Sequence, residues 1–167
     1  MTGQEGTGPS EETAGGTGRA PAIYGALLVT TLVAVQWQAE AVPLRIAGTL
    51  VISVGVFWLA HGWAEVVSRR VLGPIALREA WATLANEATM LLAVVVPGLL
   101  LATHLFAGVS TDLAIGLALV ASLAQLFLWG LAAGRAAHDS WPVALGVGLV
   151  DFAFGLVIVV LKVVVLH

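Results

Sequence analysis

Residues 51–70 read VISVGVFWLAHGWAEVVSRR and join a long apolar run to several ionisable side chains. We take this stretch as the organising element of the chain. His61, Glu65 and Arg69 recur every four residues, so a helix would place them on one face. Titratable groups are costly in hydrocarbon and normally face a bundle interior or a water-filled cavity. The stretch therefore predicts a membrane-spanning helix with one polar face.

The composition is that of a membrane protein. A soluble domain carries about 25% charged residues, whereas this chain has 10% charged and 59% hydrophobic residues and a mean hydropathy of +0.99. Its 167 residues leave room for several spans of about 20 residues each and for little else. The small net charge of −3 argues against nucleic-acid binding.

Long apolar runs predict an all-α, polytopic transmembrane helix bundle with five spans. The spans are predicted at residues 21–37, 46–67, 88–106, 113–133 and 142–165. Residues 1–20 are rich in Gly, Thr, Ser and Glu without an apolar periodicity, which predicts a disordered tail before the transmembrane domain of residues 21–167. Residues 74–86 alternate apolar and charged side chains, which predicts an amphipathic helix at the membrane surface.

The positive charges predict the orientation. Tail, second loop and fourth loop hold Arg19, Arg69, Arg70, Arg78 and Arg135, and the opposite side holds Arg45 and Lys162. Loops rich in Lys and Arg remain in the cytoplasm. We therefore expect a multi-pass protein of the plasma (inner) membrane with a cytoplasmic N-terminus.

An alternative for the first span is a signal peptide cleaved at Ala39-Glu40-Ala41. The region before the span is acidic and holds one positive charge, Arg19, whereas signal peptides begin with a basic region. We therefore expect the first span to be retained.

The predicted orientation collects an intramembrane polar cluster in the cytoplasmic half of the bundle. Its members are Asp151, His61, Glu65, Glu87 and Gln125. A carboxylate as deep as that of Asp151 needs a partner or must stay protonated. Three simpler readings stay open. Glu65 could pair with Arg69, Glu87 could reach the headgroup layer, and His61 could be a neutral core histidine.

Glycines at helical spacing predict where helices pack closely, because small residues let two backbones approach. On the second span they are Gly48, Gly55 and Gly62; on the fourth, Gly130 and Gly134; and on the fifth, Gly148 and Gly155.

The chain has no cysteine, which excludes disulfides, thiolate nucleophiles and cysteine-ligated metals. It also lacks the HExxH, nucleophile-elbow and P-loop motifs, so we expect no enzyme activity. A single His61-x-x-x-Glu65 pair is a weak metal signal, and we predict neither a metal nor another cofactor.

Two function classes remain. The first is passage of protons, ions or a small solute through the polar cluster. The alternative is a non-catalytic membrane scaffold or partner-binding subunit. The expected partners are the lipid bilayer and either a second copy of the chain or a membrane partner protein, with no nucleic acid.

Four stretches carry a resemblance to known sequences. They are WLAHGWAEVVSRR, ALREAWATLANEATMLLAVVVPGLLLA, AAGR and GLVIVVLKVVVLH, and the resemblance extends over roughly the whole chain after the first span. The chain resembles an uncharacterised family of small integral membrane proteins from actinobacteria. The resemblance implies a compact helical membrane unit and carries over no activity.

Overall fold

The structure is a computed structural model that describes residues 19–38, 42–72, 76–138 and 140–165. Every regular element within these ranges is a helix. The helices are α1 (Arg19–Gln38), α2 (Pro43–Leu72), α3 (Leu77–Glu87), α4 (Leu92–Ala107), α5 (Thr111–Ala137) and α6 (Trp141–Val165). The predicted tail, apart from its last two residues, and the Ala39-Glu40-Ala41 site lie outside the described residues.

Five helices of the described chain are long and apolar enough to cross a membrane. They begin at Arg19, Pro43, Leu77, Thr111 and Trp141. The prediction of an all-α bundle with five spans is therefore confirmed. The cytoplasmic position of the N-terminus stays a prediction.

The surface helix and the third span form one nearly continuous rod. A 3₁₀ turn, Ala88–Leu91, joins α3 directly to α4. Glu79 stabilises the start of α3, because its carboxylate accepts a hydrogen bond from the Ala76 N–H at 3.3 Å and its negative charge suits a helix N-terminus. The described part of the predicted amphipathic segment, residues 76–86, thus continues into the third span without a loop, and residues 74 and 75 lie outside the described residues.

The most buried span is α1, with 44% of its apolar segment buried inside the bundle. Ala22, Ala26, Val29 and Val33 are fully buried, and their spacing of four, three and four residues places them on one helix face. Helix α1 contacts α2, α4, α5 and α6. Residues 51–70 belong to α2, and only 22% of the apolar span of that helix is buried. The helix at the centre of the bundle is therefore α1, and not the stretch that we expected to organise the chain.

The most extensive helix contact in the described chain joins α5 to α6. A Cβ atom on Gly134 would lie 2.7 Å from the Ala144 Cα, and one on Gly148 would lie 2.8 Å from the Phe127 backbone oxygen. Real Cβ atoms do not come this close, so these positions require glycine for the observed approach. Gly130 also packs against Gly148, because a Cβ on Gly130 would lie 2.9 Å from the Gly148 Cα.

The glycines of α2 behave differently. Cβ atoms on Gly48 and Gly55 would meet no heavy atom within 4 Å, whereas one on Gly62 would lie 2.6 Å from Leu84 Cδ2. The inward face of α2 is aliphatic instead, with Leu50 and Val54 fully buried. Within this chain, the expected seam along α2 therefore forms at Gly62 and is wrong at the other two positions.

Candidate functional site

A pair of titratable side chains joins α2 to the end of α3. His61 Nε2 lies 3.5 Å from Glu87 Oε2. The His61 side chain is 41% exposed and the Glu87 side chain only 13%. A titratable ring that reaches the surface therefore contacts a largely buried carboxylate.

Two contacts of α2 with α3 bring this pair together. The missing side chain of Gly62 makes room for Leu84. The Trp58 indole donates a hydrogen bond to the Leu84 backbone oxygen at 3.0 Å. Because Glu87 lies three residues after Leu84, nearly one helical turn, the contact sets its position beside His61.

Aromatic rings flank His61. The Phe57 ring stacks on it at a centroid distance of 6.1 Å and an interplanar angle of 11°. The Tyr24 ring of α1 lies at the same distance with a tilt of 42°. The imidazole that contacts the Glu87 carboxylate thus has aromatic neighbours from both α1 and α2.

Glu65 does not join this pair. Its carboxylate accepts a hydrogen bond from Arg69 Nε at 2.9 Å, and both side chains are substantially exposed. The distance and the four-residue spacing are those of a surface ion pair along one helix. Of the polar stripe on α2, only His61 faces another helix's carboxylate.

Gln125 connects α5 to α4. Its side-chain amide donates to the Leu92 backbone oxygen at 3.4 Å. Leu92 begins α4 directly after the 3₁₀ turn. The amide oxygen Oε1 of Gln125 is buried and accepts no hydrogen bond within the described chain.

Asp151 lies halfway along the span Trp141–Lys162 and faces α5. Its Oδ2 occupies the space where a Cβ atom of Gly130 would lie. This oxygen is buried and has no hydrogen-bond donor among the described residues. The glycine at position 130 thus lets the carboxylate fit between the two helices.

The predicted single cluster is divided among three helix contacts. His61 and Glu87 lie between α2 and α3, Gln125 between α5 and α4, and Asp151 between α6 and α5. Three buried oxygens accept no hydrogen bond within the described chain: Glu87 Oε2, Gln125 Oε1 and Asp151 Oδ2. The 3.5 Å contact between Glu87 Oε2 and His61 Nε2 is thus an ion-pair distance without hydrogen-bond geometry. No group of three or more His, Asp or Glu side chains placed to hold a metal ion occurs among these residues.

Two features that build the site are not among the residues predicted from the sequence. Tyr24 contributes a ring from α1, which lies distant in sequence from His61. Gly25 lets α1 approach the 3₁₀ turn, since a Cβ there would lie 2.6 Å from the Met90 backbone oxygen. The available signal was the small-residue spacing of Ala22, Gly25 and Ala26 on the first span.

Comparisons with known proteins give no relative for this arrangement. No protein-family model matches the chain, and neither a curated protein nor a solved structure matches it significantly. The resemblance to small actinobacterial membrane proteins therefore stays a prediction.

Proposed function

We propose that this multi-pass membrane protein passes protons, or a small ion or solute linked to them, across the bilayer. The observation that supports the proposal is the buried Glu87 carboxylate 3.5 Å from a partly exposed His61. Histidine changes its charge nearest to neutral pH, and a carboxylate beside it can accept or return the proton. The pair thus provides a proton donor and acceptor at one point.

Two further polar groups lie elsewhere in the bundle and would continue the proton route beyond the His61–Glu87 pair. Gln125 and Asp151 each present a buried oxygen without a donor among the residues that the structure describes. Buried acceptors of this kind are normally satisfied by water, an ion or a proton. Because the three sites do not bond to one another directly, water must connect them along the proposed route.

The scaffold function is the second candidate, and a specific observation favours it. Each polar group lies at a different helix contact, and the Gln125 and Trp58 side chains each bond a backbone oxygen of another helix. Hydrogen bonds of this type hold helices together in membranes. In that case the polar residues fix helix pairing and no solute passes.

Proton flux into reconstituted vesicles separates the two candidates. We expect wild-type flux above that of protein-free vesicles under an imposed potential, and a loss of at least about tenfold in His61→Gln and Glu87→Gln. Glu65→Gln is the matched control, because Glu65 pairs with Arg69 on the surface, and it should retain the flux. A wild-type protein without flux would reject proton passage and leave the scaffold function.

The proposal includes the plasma membrane and a cytoplasmic N-terminus, and two Arg–Trp contacts support the orientation. Arg70 lies over the Trp63 ring at 5.9 Å and Arg135 over the Trp141 ring at 4.8 Å. Because successive spans alternate in direction, the ends of α2 and α5, which carry these arginines, lie on the same side of the bundle. Such pairs suit the basic, headgroup side of the membrane.

The absence of cysteine makes this orientation simple to test. Single cysteines at Ser10, Val109 and Ser140 are treated on intact cells with an impermeant thiol reagent. Only the cysteine at position 109 should react, because it is the one on the predicted outer side. Reaction at position 140 would reverse the orientation.

A further inference from the structure

An apolar groove runs along the outside of the bundle between α2 and α4. It has a volume of about 670 Å³, and all its lining residues are apolar or glycine. From α2 it is lined by Gly48, Val51 and Ile52, and from α4 by Val95, Gly98 and Leu99, among others. Its size is within the range of sites that hold a small molecule or a lipid chain.

Two glycines make the groove deep. A Cβ on Gly48 would meet no heavy atom within 4 Å, and one on Gly98 would meet only Val94 Cγ1, at 3.7 Å. Neither glycine has a positive φ, which only Gly108 has in the described chain. Helix packing and backbone geometry therefore do not require glycine at these positions, and larger side chains would fill the groove.

Helix geometry places the cation of Arg45 just beyond the residues of α2 that line the groove. Arg45 precedes Gly48 by three residues and Ile52 by seven, so all three lie on one face of α2. Arg45 is exposed, and among the described residues it has no acidic partner. It lies two residues after α2 begins at Pro43, a position at the edge of the span where lipid phosphates are found.

We propose that the groove binds one anionic phospholipid, with an acyl chain along Gly48 and Gly98 and its phosphate at Arg45. The apolar lining suits the chain, and guanidinium groups bind phosphate oxygens through two parallel hydrogen bonds. The exposed charge of Arg45, one helical turn before Gly48, favours an anionic headgroup at this end of the groove. The site is independent of the proposed proton route.

Native mass spectrometry of the purified, delipidated protein tests the proposal. Phosphatidylglycerol or phosphatidylcholine with identical acyl chains is added, and the lipid retained per chain is counted. Both lipids carry a phosphate, but the choline cation of phosphatidylcholine offsets its charge and is repelled by Arg45, so we expect one phosphatidylglycerol to be retained about tenfold more strongly than phosphatidylcholine.

Three variants assign this retention to the groove. Gly48→Leu should remove the bound lipid by filling the groove, whereas Arg45→Gln should abolish the preference for phosphatidylglycerol. Gly116→Leu is the control, because Gly116 on α5 also has open space around it but does not line the groove. Circular dichroism and thermal unfolding should show all three variants folded.

Three results would contradict the proposed lipid site. Equal retention of both lipids by the wild type, or unchanged phosphatidylglycerol binding in Gly48→Leu and Arg45→Gln, would overturn the proposal. A wild-type dimer that Gly48→Leu converts to a monomer, with lipid retention unchanged, would assign the groove to a second copy and also overturn it.

Discussion

The contact between α5 and α6 and the contact between α2 and α4 use glycine in opposite ways. At α5–α6, Gly134 and Gly148 let the two backbones approach so closely that a Cβ on either would lie under 3.0 Å from backbone atoms. At α2–α4, Gly48 and Gly98 face a groove of about 670 Å³. The same residue type thus closes one helix contact and opens the other.

The difference shows what glycine contributes inside a bilayer. Lipid tails are as apolar as leucine, so burying aliphatic side chains does not drive helices together there. Close backbone approach adds dispersion contacts instead. A glycine stabilises the fold only where a neighbouring helix occupies the space it leaves, and elsewhere it shapes the surface that lipid or another protein meets.

The largest effect should come from a side chain introduced into the α5–α6 contact. Gly148→Leu would place a side chain against the Phe127 backbone oxygen, 2.8 Å from the ideal Cβ position, and backbone cannot move aside cheaply. We expect a loss of about 3 kcal/mol or more in the free energy of unfolding. Denaturant titration in detergent micelles measures it.

Gly146→Leu is the matched control on the same helix. A Cβ on Gly146 would meet nothing within 4 Å, and the residue is exposed. It should unfold like the wild type. Equal losses in the two variants would show that α6 does not approach α5 in the way described.

A smaller loss should follow substitution nearer the end of α6. In Gly155→Leu the new Cβ would lie 2.5 Å from Leu126 Cδ1, the end of a flexible side chain. We expect a loss of about 2 kcal/mol, because that side chain can partly rotate away. Val157→Leu is the control, since Val157 is 53% exposed, and thermal unfolding of the pair should separate them. Equal tolerance would place this part of α6 against lipid.

Hydropathy was sufficient to predict the five spans, because each must be long and apolar to cross the bilayer. Helix periodicity also placed Gly148 and Asp151 on one face of the last span, and the structure directs that face at α5. The central position of α1 and the open side at Gly48 could not be obtained in this way. In a bilayer, a face that packs on protein and a face that packs on lipid have similar compositions.

The candidate site shows the same limit. The sequence predicted that His61, Glu87, Gln125 and Asp151 form one cluster, because their positions within the spans give them similar depths in the bilayer. Separation among three helix contacts depends on which helices are neighbours, and a single sequence does not contain that information. The Glu65–Arg69 pair was accessible from spacing, since both residues belong to one helix.

Asp151→Asn should have a modest effect on stability, because it retains the size of the side chain that lies against Gly130. We expect a change of about 1 kcal/mol in the free energy of unfolding, the usual scale for one polar contact between helices. The proposed function adds a second expectation, a loss of proton flux in vesicles. An unchanged flux would remove Asp151 from the proposed route, and a stability loss as large as that of Gly148→Leu would make the carboxylate, rather than the backbone approach, the main link between α5 and α6.

The smallest effect is expected on the outer face of α2. Gly55→Leu adds a side chain where no heavy atom lies within 4 Å, and leucine favours a helix over glycine by about 0.8 kcal/mol. The free energy of unfolding should therefore stay unchanged or rise slightly. Gly62→Leu is the contrast, because its Cβ would lie 2.6 Å from Leu84 Cδ2, and it should destabilise the contact that positions Glu87. If Gly55→Leu destabilises the protein as well, and size-exclusion chromatography shows that it also shifts the protein to a smaller species, then a second copy covers this face and the contrast between the two helix contacts holds only within one chain.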